Sequence, residues 1–392
     1  MSNGPAITEQ GSEHEHRVTP LELFFDLVFV FAFTQVTTLM SDDPSWSGLG
    51  NGLMILAAMW WAWVGYAWLT NAVDPDEGLV RAAMLVAIGA MFVAALAVPD
   101  AFGDHGVLFG VAFLIVRVMH VALYALAGRG DRDLLGAVMR ITPSTVAASG
   151  LIIGAGFADD GLRPALWLAA LVVDYVGPLV AGTRGWRVHP GHFAERHALI
   201  LIIALGEAFI AMGVGATGTG IGVGVIVTVM LGLLVAMSMW LAYFDFFSIR
   251  AEGLLSDRSG AERNALARDV FSYLHLPMVA GVVLVALAMK KTLAHVGDEL
   301  DAVPALGLFG GSALFLLAFA AVRLRVSRTL SRGRFITAVA FALLLPVALA
   351  VPALVALALA TAVWLSLHAY EFIWWRDARA ETRALRTPVA GA

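Results

Sequence analysis

No cysteine occurs anywhere in the 392 residues, so disulfides, thiol nucleophiles and cysteine-ligated metals are excluded. Charge is scarce too: 14% of residues are Asp, Glu, Lys or Arg, against about 25% in an ordinary soluble domain. Lysine is nearly missing, with only Lys290 and Lys291 present. The net charge of −5, without a basic stripe, leaves no footprint for nucleic acid. What fills the chain instead is apolar: 60% of residues are hydrophobic and the mean hydropathy is +0.82. A single core cannot absorb that much apolar surface, whereas a lipid bilayer can. Residues 1–18 are polar and lack the basic-then-apolar pattern of a cleaved leader, so none is expected. His14 and His16 belong to that polar tail and are read as part of it rather than as a metal site.

Long apolar runs are spanning helices, because about 20 residues at about 1.5 Å each cross a hydrocarbon layer of about 30 Å. Such runs lie near 20–40, 48–70, 79–98, 105–128, 134–156, 162–182, 194–214, 221–249, 268–290, 303–324, 334–349 and 351–374. In the last two, "LLLPVALAVPALVALALA" reads as two spans rather than one, since Pro346 and Pro352 each remove a backbone donor. With the N-terminus in the cytoplasm, twenty of the 25 basic residues fall on inward segments. Only Arg163, Lys290 and Lys291 fall outward, and Arg117 and Arg140 sit within spans. The positive-inside rule therefore predicts both termini in the cytoplasm.

The two halves echo one another. "MWWAWVGY" at 59–66 matches "MWLAYFDF" at 239–246, Glu22 matches Glu195, Arg81 matches Arg268, and Pro164 matches Pro352. Six spans per half is an even number, so the halves share one orientation. The expected fold is an all-α polytopic membrane bundle of about twelve helices in two parallel six-helix repeats. Its divisions are a cytoplasmic polar tail 1–18, a first repeat 19–186, a second repeat 187–375 and a cytoplasmic basic tail 376–392.

Polar residues inside such spans are costly, and mark pathways or pairing networks. In "TPLELFFDLVFVFAFTQV", Glu22 and Asp26 stand one turn apart on one helix face. Glu195, Arg196 and His197 stand at the mouth of the seventh span, with His192 just before them. Glu207 is about 18 Å further along that span, near mid-bilayer. Arg117 stands at a similar depth and is the expected partner of Glu207; Arg140 is expected to meet Asp26 or Asp174. Asp245, His275, His368 and Glu371 complete the inner set, with His120 past Arg117, and together they predict a polar vestibule open to the cytoplasm. Trp60, Trp61, Trp63 and Trp240 fall mid-span and read as interhelical packing. "GVGATGTGIGVG" at 213–224 mimics a nucleotide loop, but no strand precedes it, and it reads as a hairpin.

At "PLELFFDLVFVFAF" and "HFAERHALILIIALGEAFIAMG" the chain resembles the bacterial low temperature requirement protein A (LtrA) family. The resemblance covers roughly residues 17–375, with His192, Glu195 and Arg196 matching one family motif and Leu205, Gly206 and Glu207 another. His197-Ala198 departs from the aromatic or aliphatic residue and Gly expected there. The family implies a multi-pass protein of the bacterial plasma membrane needed for growth in the cold, and no settled biochemical activity. Phe24, Asp26, Val28, Phe29, Ala32 and Thr34 are also spaced like the F-S-D motif helix of potassium channels built from paired six-helix repeats. There the motif helix lines the pore and its polar residues hold the helices in place. Phe25 stands here where that family has Ser, and Pro20 where it has Arg.

The favoured function is a permease or channel for an ion or small solute, with proton coupling as one form of it. Glu22, Asp26, Glu195 and Glu207 would form the pathway, Arg117, Arg140 and Arg196 the counter-charges, and Asp174, His192, Asp245 and His275 secondary positions. The alternatives are an intramembrane lipid or isoprenoid enzyme working at Asn71, Asp74, Asp76, Glu77, Asp245 and Glu252, or a non-transporting protein needed for cold growth. No cofactor is implied; the partners expected are the bilayer and an unknown ion or small solute, with a homo-oligomer compatible.

Overall fold

The computed structural model describes residues 17–374 other than 218, 219 and 246. The tail assignments for 1–16 and 376–392, including His14 and His16, lie outside the described residues. The elements in order are α1 (Pro20–Asp42), α2 (Trp46–Leu69), α3 (Gly78–Ala97) with a 3-10 turn Val98–Asp100, α4 (Gly106–Ala127), α5 (Arg132–Phe157) and α6 (Arg163–Ala181). Then come α7 (Pro190–Gly215), α8 (Val223–Phe244), α9 (Phe247–Ser256), α10 (Gly260–Leu266), a π-helical stretch Ala267–Tyr273, α11 (His275–Ala294), α12 (Ala302–Ser327), α13 (Arg332–Ala348) and α14 (Ala353–Trp374). No β-strand occurs among the described residues; an isolated bridge joins Glu299 to Pro352.

The chain is a polytopic membrane helix bundle. Among the described residues, eleven helical stretches are long and apolar enough to cross a bilayer. The twelfth expected span corresponds to α13, which has 17 residues and is not among those eleven. The chain does break between Ala348 and Ala353, so the proline pair separates two helices as its missing donors dictate.

Helix starts follow from local chemistry. Thr19 and Glu22 form a reciprocal capping box at α1, with Pro20 in the first turn. Ser45 caps α2 and Asp131 caps α5. The backbone N–H of Leu134, with Arg187 opposite, holds the Asp131 carboxyl below its ordinary range.

The helices α1, α2, α7, α11 and α12 form the interior, and α6 lies at the periphery with Leu168, Val172 and Val180 exposed. One close crossing joins α11 and α12, where a Cβ on Gly281 would come within 2.6 Å of the Gly311 carbonyl oxygen. Only glycine permits that approach, which replaces side-chain burial with backbone packing. Trp60, Trp61 and Trp63 are interior as expected, but Trp240 is 43% exposed on the outer face of α8 and packs on Phe244 rather than between helices. Its side of α8 meets lipid, which an indole tolerates.

One end of the bundle gathers the starts of α1, α7 and α13 with the ends of α2 and α14. The Val18 N–H donates to Glu195 Oε2 at 3.3 Å, and the His189 N–H to Asn71 Oδ1 at 2.8 Å. Arg334 pairs with Glu371 at 2.9 Å. This end carries most of the arginines.

Candidate functional site

The α1 capping box also begins a buried ion network. Glu22 Oε2 accepts from the Thr19 N–H at 2.8 Å, while Oε1 accepts from Arg196 Nη1 at 2.6 Å and meets His192 Nε2 at 2.9 Å. One turn deeper, Asp26 Oδ1 accepts from Arg196 Nη2 at 2.6 Å and from Trp63 Nε1 at 2.7 Å. Glu22, Asp26 and Arg196 are each 0% exposed. The four-residue spacings Glu22–Asp26 and His192–Arg196 put each pair on one helix face, so α1 and α7 mesh like two short combs. Two carboxylates face one guanidinium, so neutrality of this closed cluster requires one proton shared among Glu22, Asp26 and His192. Asp26 Oδ2 and Arg196 Nε have no hydrogen-bond partner among the described residues.

Glu207 lies deeper in α7 and is 1% exposed. Thr34 Oγ1 donates to its Oε2 at 2.5 Å, and the Thr37 hydroxyl also faces it. Its nearest opposite charge is Lys290 of α11, which reaches Thr38 Oγ1 at 3.4 Å. The expected Arg117–Glu207 pair does not form. Arg117 belongs to the α2–α4–α5–α6 side, where Nη2 pairs with Asp174 at 2.7 Å and donates to Thr145 Oγ1 at 3.2 Å. A place along a span does not fix a partner: residues of different helices can face different neighbours.

Arg140 corrects the sequence reading in the same way. It is exposed and meets neither Asp26 nor Asp174; its guanidinium donates to the Ala181 carbonyl at 2.9 Å and the Arg184 carbonyl at 2.5 Å. Carbonyls at a helix C-terminus lack intrahelical donors, and Arg140 supplies them for α6. Glu195 is exposed at the arginine-rich end, and Asp245 is half-buried at the α8 C-cap. His275 bonds at both nitrogens, Nδ1 to the Val270 carbonyl at 2.9 Å and Nε2 to the Tyr243 hydroxyl at 3.0 Å. Such pairing fixes it as a donor at Nδ1 and an acceptor at Nε2, a packing role beside Phe271 and His197. Asp74 and Asp76 in the α2–α3 loop, Glu77 at the start of α3 and Glu252 within α9 are exposed. No group of three potential metal ligands forms among the described residues.

Nor is there an open vestibule around Glu22 and Asp26, because the pairing seals it. The hollow space is elsewhere, a cavity of about 70 Å³ reached from the arginine-rich end. Its walls are aromatic, Trp61, Trp68, Tyr124 and Trp186, with Arg268 and Thr183 at the mouth. Arg117 and His120 line its inner part. His120 is 4% exposed and rests against Gly65, where a Cβ would sit 3.0 Å from its Nε2. Neither imidazole nitrogen makes a hydrogen bond of good geometry among the described residues, and Arg117 Nε is likewise unpartnered. An unsatisfied buried polar atom costs about 1–3 kcal/mol, so these nitrogens favour a hydrogen-bonding neighbour, for which a single water is large enough. A neutral imidazole offers such an occupant one donor and one acceptor.

The π-helical stretch forms one side of this space. Trp60 Nε1 donates to the Ser272 carbonyl at 2.8 Å and Trp68 Nε1 to the Ser272 hydroxyl at 2.9 Å. Sequence reading does not show the cavity because its walls come from α2, α4, α5, α6, the π-helical stretch and the loop after α6. Its one local trace was Gly65 opposite a histidine among aromatics.

The family model for the bacterial low temperature requirement A protein (LtrA) matches residues 17–369. The chain belongs to the LtrA family. It is also 34% identical over 309 residues to an uncharacterized protein of Rhizobium meliloti (strain 1021), covering 75% of this chain and 74% of the relative. No solved structure matches. Of the polar motif residues that carry the family resemblance, His192, Arg196 and Glu207 are buried groups of α7 facing α1, whereas Glu195 is exposed.

Proposed function

We propose that this LtrA protein is a permease of the bacterial plasma membrane that takes a small solute into the aromatic cavity above Arg117 and His120. The arginine-rich end faces the cytoplasm in this reading, which the twenty-to-three partition of basic residues supports. The observation that carries the reading is the unpartnered His120 beneath a cavity with a mouth. A merely architectural bundle gains nothing from a hollow lined by unsatisfied donors and acceptors. Arg117 is already neutralised by Asp174, so the favoured occupant has an apolar body and one polar, uncharged or weakly anionic group.

Glu207 and the Glu22–Asp26–His192 set are the protonatable groups that would couple the cycle. The proton demanded by two carboxylates against one arginine suits exchange with a mid-depth acid on the same helix. The contact between α1 and α7, which would be the first helices of two parallel repeats, supports the reading, since it holds these groups.

The absence of cysteine makes the test direct. In oriented vesicles, a single cysteine at position 120 should react with a membrane-impermeant maleimide from the cytoplasmic side. Reaction from the opposite side should appear when the vesicles are energised. Reaction from neither side would make the cavity a sealed void, and reaction from one side under every condition would make it a receptor pocket; either result ends the permease reading.

A second reading, a non-transporting protein needed for cold growth, draws on one observation. Glu22, Asp26 and Arg196 are wholly buried and mutually paired, as a register-fixing network would be.

A further inference from the structure

The surroundings of Glu207 differ in its two directions along the bundle. Toward the arginine-rich end, residues 27–33 of α1, 198–206 of α7 and 276–289 of α11 contain no polar side chain. Phe29, Phe33, Ile200, Leu201 and Ala204 are all buried there and plug the interval down to the Glu22–Asp26–Arg196 cluster. Toward the opposite end, α1 presents Thr34, Thr37, Thr38 and Ser41, whose spacing of three and four residues aligns them on one face. Lys290 closes that series, reaching Thr38 Oγ1 at 3.4 Å and interacting with Asp42 at the end of α1.

The hydroxyls beside Glu207 are contested, because each has one proton to donate. Thr34 Oγ1 lies 2.5 Å from Glu207 Oε2 and 3.1 Å from the Val30 carbonyl oxygen. Thr37 Oγ1 faces both Glu207 and the Phe33 carbonyl, the latter at 2.9 Å. With Glu207 ionised, both hydroxyls turn to its oxygens. With Glu207 protonated, its own O–H donates to a threonine oxygen, and the hydroxyls fall back on the helix carbonyls. Either state keeps both hydroxyls and any acid proton bonded, so the proton comes and goes without stranding a buried donor.

We propose that in this conformation Glu207 takes up its proton from the end opposite the arginines, along the α1 hydroxyl face, and that the Lys290 ammonium excludes metal cations from this path. Hydronium arriving through water gives its proton to the carboxylate, leaving water and a neutral acid; release is the reverse. The loops and helix termini at that end carry nine acids against Arg163, Lys290 and Lys291, a field that gathers protons. On the helices packed against α7 the remaining charges are distant or held. Helices α2 and α8 carry no charged residue, and Arg250 and Glu252 of α9 lie at the arginine-rich end. Glu22 and Asp26 are bound to Arg196, which with His197 stands at least about 15 Å from Glu207 along α7. Lys291 is turned by about 100° from Lys290, and His275 lies at the other end of α11. The inference rests on the permease reading for what the proton drives. Exchange between Glu207 and the Glu22–Asp26 set then belongs to another state of the cycle, in which the apolar plug opens.

The test is labelling of Glu207 by dicyclohexylcarbodiimide, which couples to a protonated carboxyl. It uses the full chain in oriented vesicles without solute, with pH set separately on the two sides and the label located by peptide mass. Labelling should follow the pH at the Asp42 end, rising by up to about tenfold per unit of acidification while the acid is mostly ionised. It should ignore the pH at the arginine-rich end. Labelling that follows the arginine-rich end, or both ends equally, would overturn the proposal, as would a Glu207 that takes no label at any pH. Sodium should leave the rate unchanged in the natural chain and slow it at least about threefold in Lys290→Gln. Lys290→Arg, which keeps the charge, should stay insensitive and shows that a substituted chain folds. Sodium protection of the natural chain would make this a metal-ion path, and an insensitive Lys290→Gln would remove Lys290 as its filter; either result overturns the proposal. The readout is mass rather than transport, so the chain can pass here and fail the labelling at position 120, or the reverse.

Discussion

The Arg196 guanidinium lies 2.6 Å from Asp26 Oδ1, and neither side chain is reached by solvent. The same guanidinium bonds Glu22 at 2.6 Å, so one cation from α7 holds two acids of α1. Removing it leaves two buried carboxylates without a counter-charge. Arg196→Met should destabilise the fold by about 3–5 kcal/mol. Adding Glu22→Gln and Asp26→Asn should recover most of that loss, because the triple variant buries no net charge. Thermal unfolding in detergent of the single and triple variants checks both statements.

Stability and function should part company at His120. Its two ring nitrogens lack good hydrogen bonds among the described residues, so His120→Leu removes an unsatisfied polar group. The variant should be as stable as the natural chain or more so, by about 1 kcal/mol. It should also lose the occupant of the cavity and with it solute movement. A melting temperature and a flux measurement on the same preparation separate the two effects; a large drop in stability would show that His120 is satisfied within the fold.

At Glu207 the proposed coupling and the local packing give different signatures. Glu207→Gln keeps size and keeps an acceptor for the Thr34 hydroxyl, which donates at 2.5 Å. It should leave folding within about 1 kcal/mol while abolishing the pH dependence of flux. Thr34→Val should weaken flux only in part, because the Thr37 hydroxyl also faces the acid. Unchanged pH dependence in Glu207→Gln would remove this residue from coupling.

For Asp131 the pH effect has a definite sign. Its folded-state carboxyl is held below the ordinary range, chiefly by the Leu134 N–H, so it contributes stability above the unfolded carboxylate pKa of about 3.9. That contribution is lost as pH falls through the lower, folded value. Asp131→Ala should therefore lower the melting temperature at neutral pH and leave it unchanged in strong acid, as a thermal series across pH would show.

How far the sequence reached depended on which coordinate a feature needs. Helix positions and their boundaries are one-dimensional, so the apolar runs and the Pro346–Pro352 pair announce them. That a polar residue stands within an apolar run is one-dimensional as well, and Glu22, Asp26, Arg196 and Glu207 are all buried. Partner choice needs the rotation of each helix about its own axis. A helix turning about 100° per residue erases that information unless both partners are known, which is why Arg117 was matched to Glu207 instead of Asp174. Arg140 misled for a different reason: the orphan carbonyls that recruit it belong to the end of another helix. The cavity was illegible because emptiness has no residue of its own.

The wide turn at Ala267–Tyr273 has a mechanical implication. A π-helical turn holds one residue more than an α-helical turn in the same length, so its Leu274 N–H reaches back to Asp269. Were that surplus residue to be expelled, everything before it would rotate by about 100° relative to α11. Arg268 would swing away from the cavity mouth, and Ser272 would let go of Trp60 and Trp68. The helix thus carries its own latch, whose bolt is a single peptide unit.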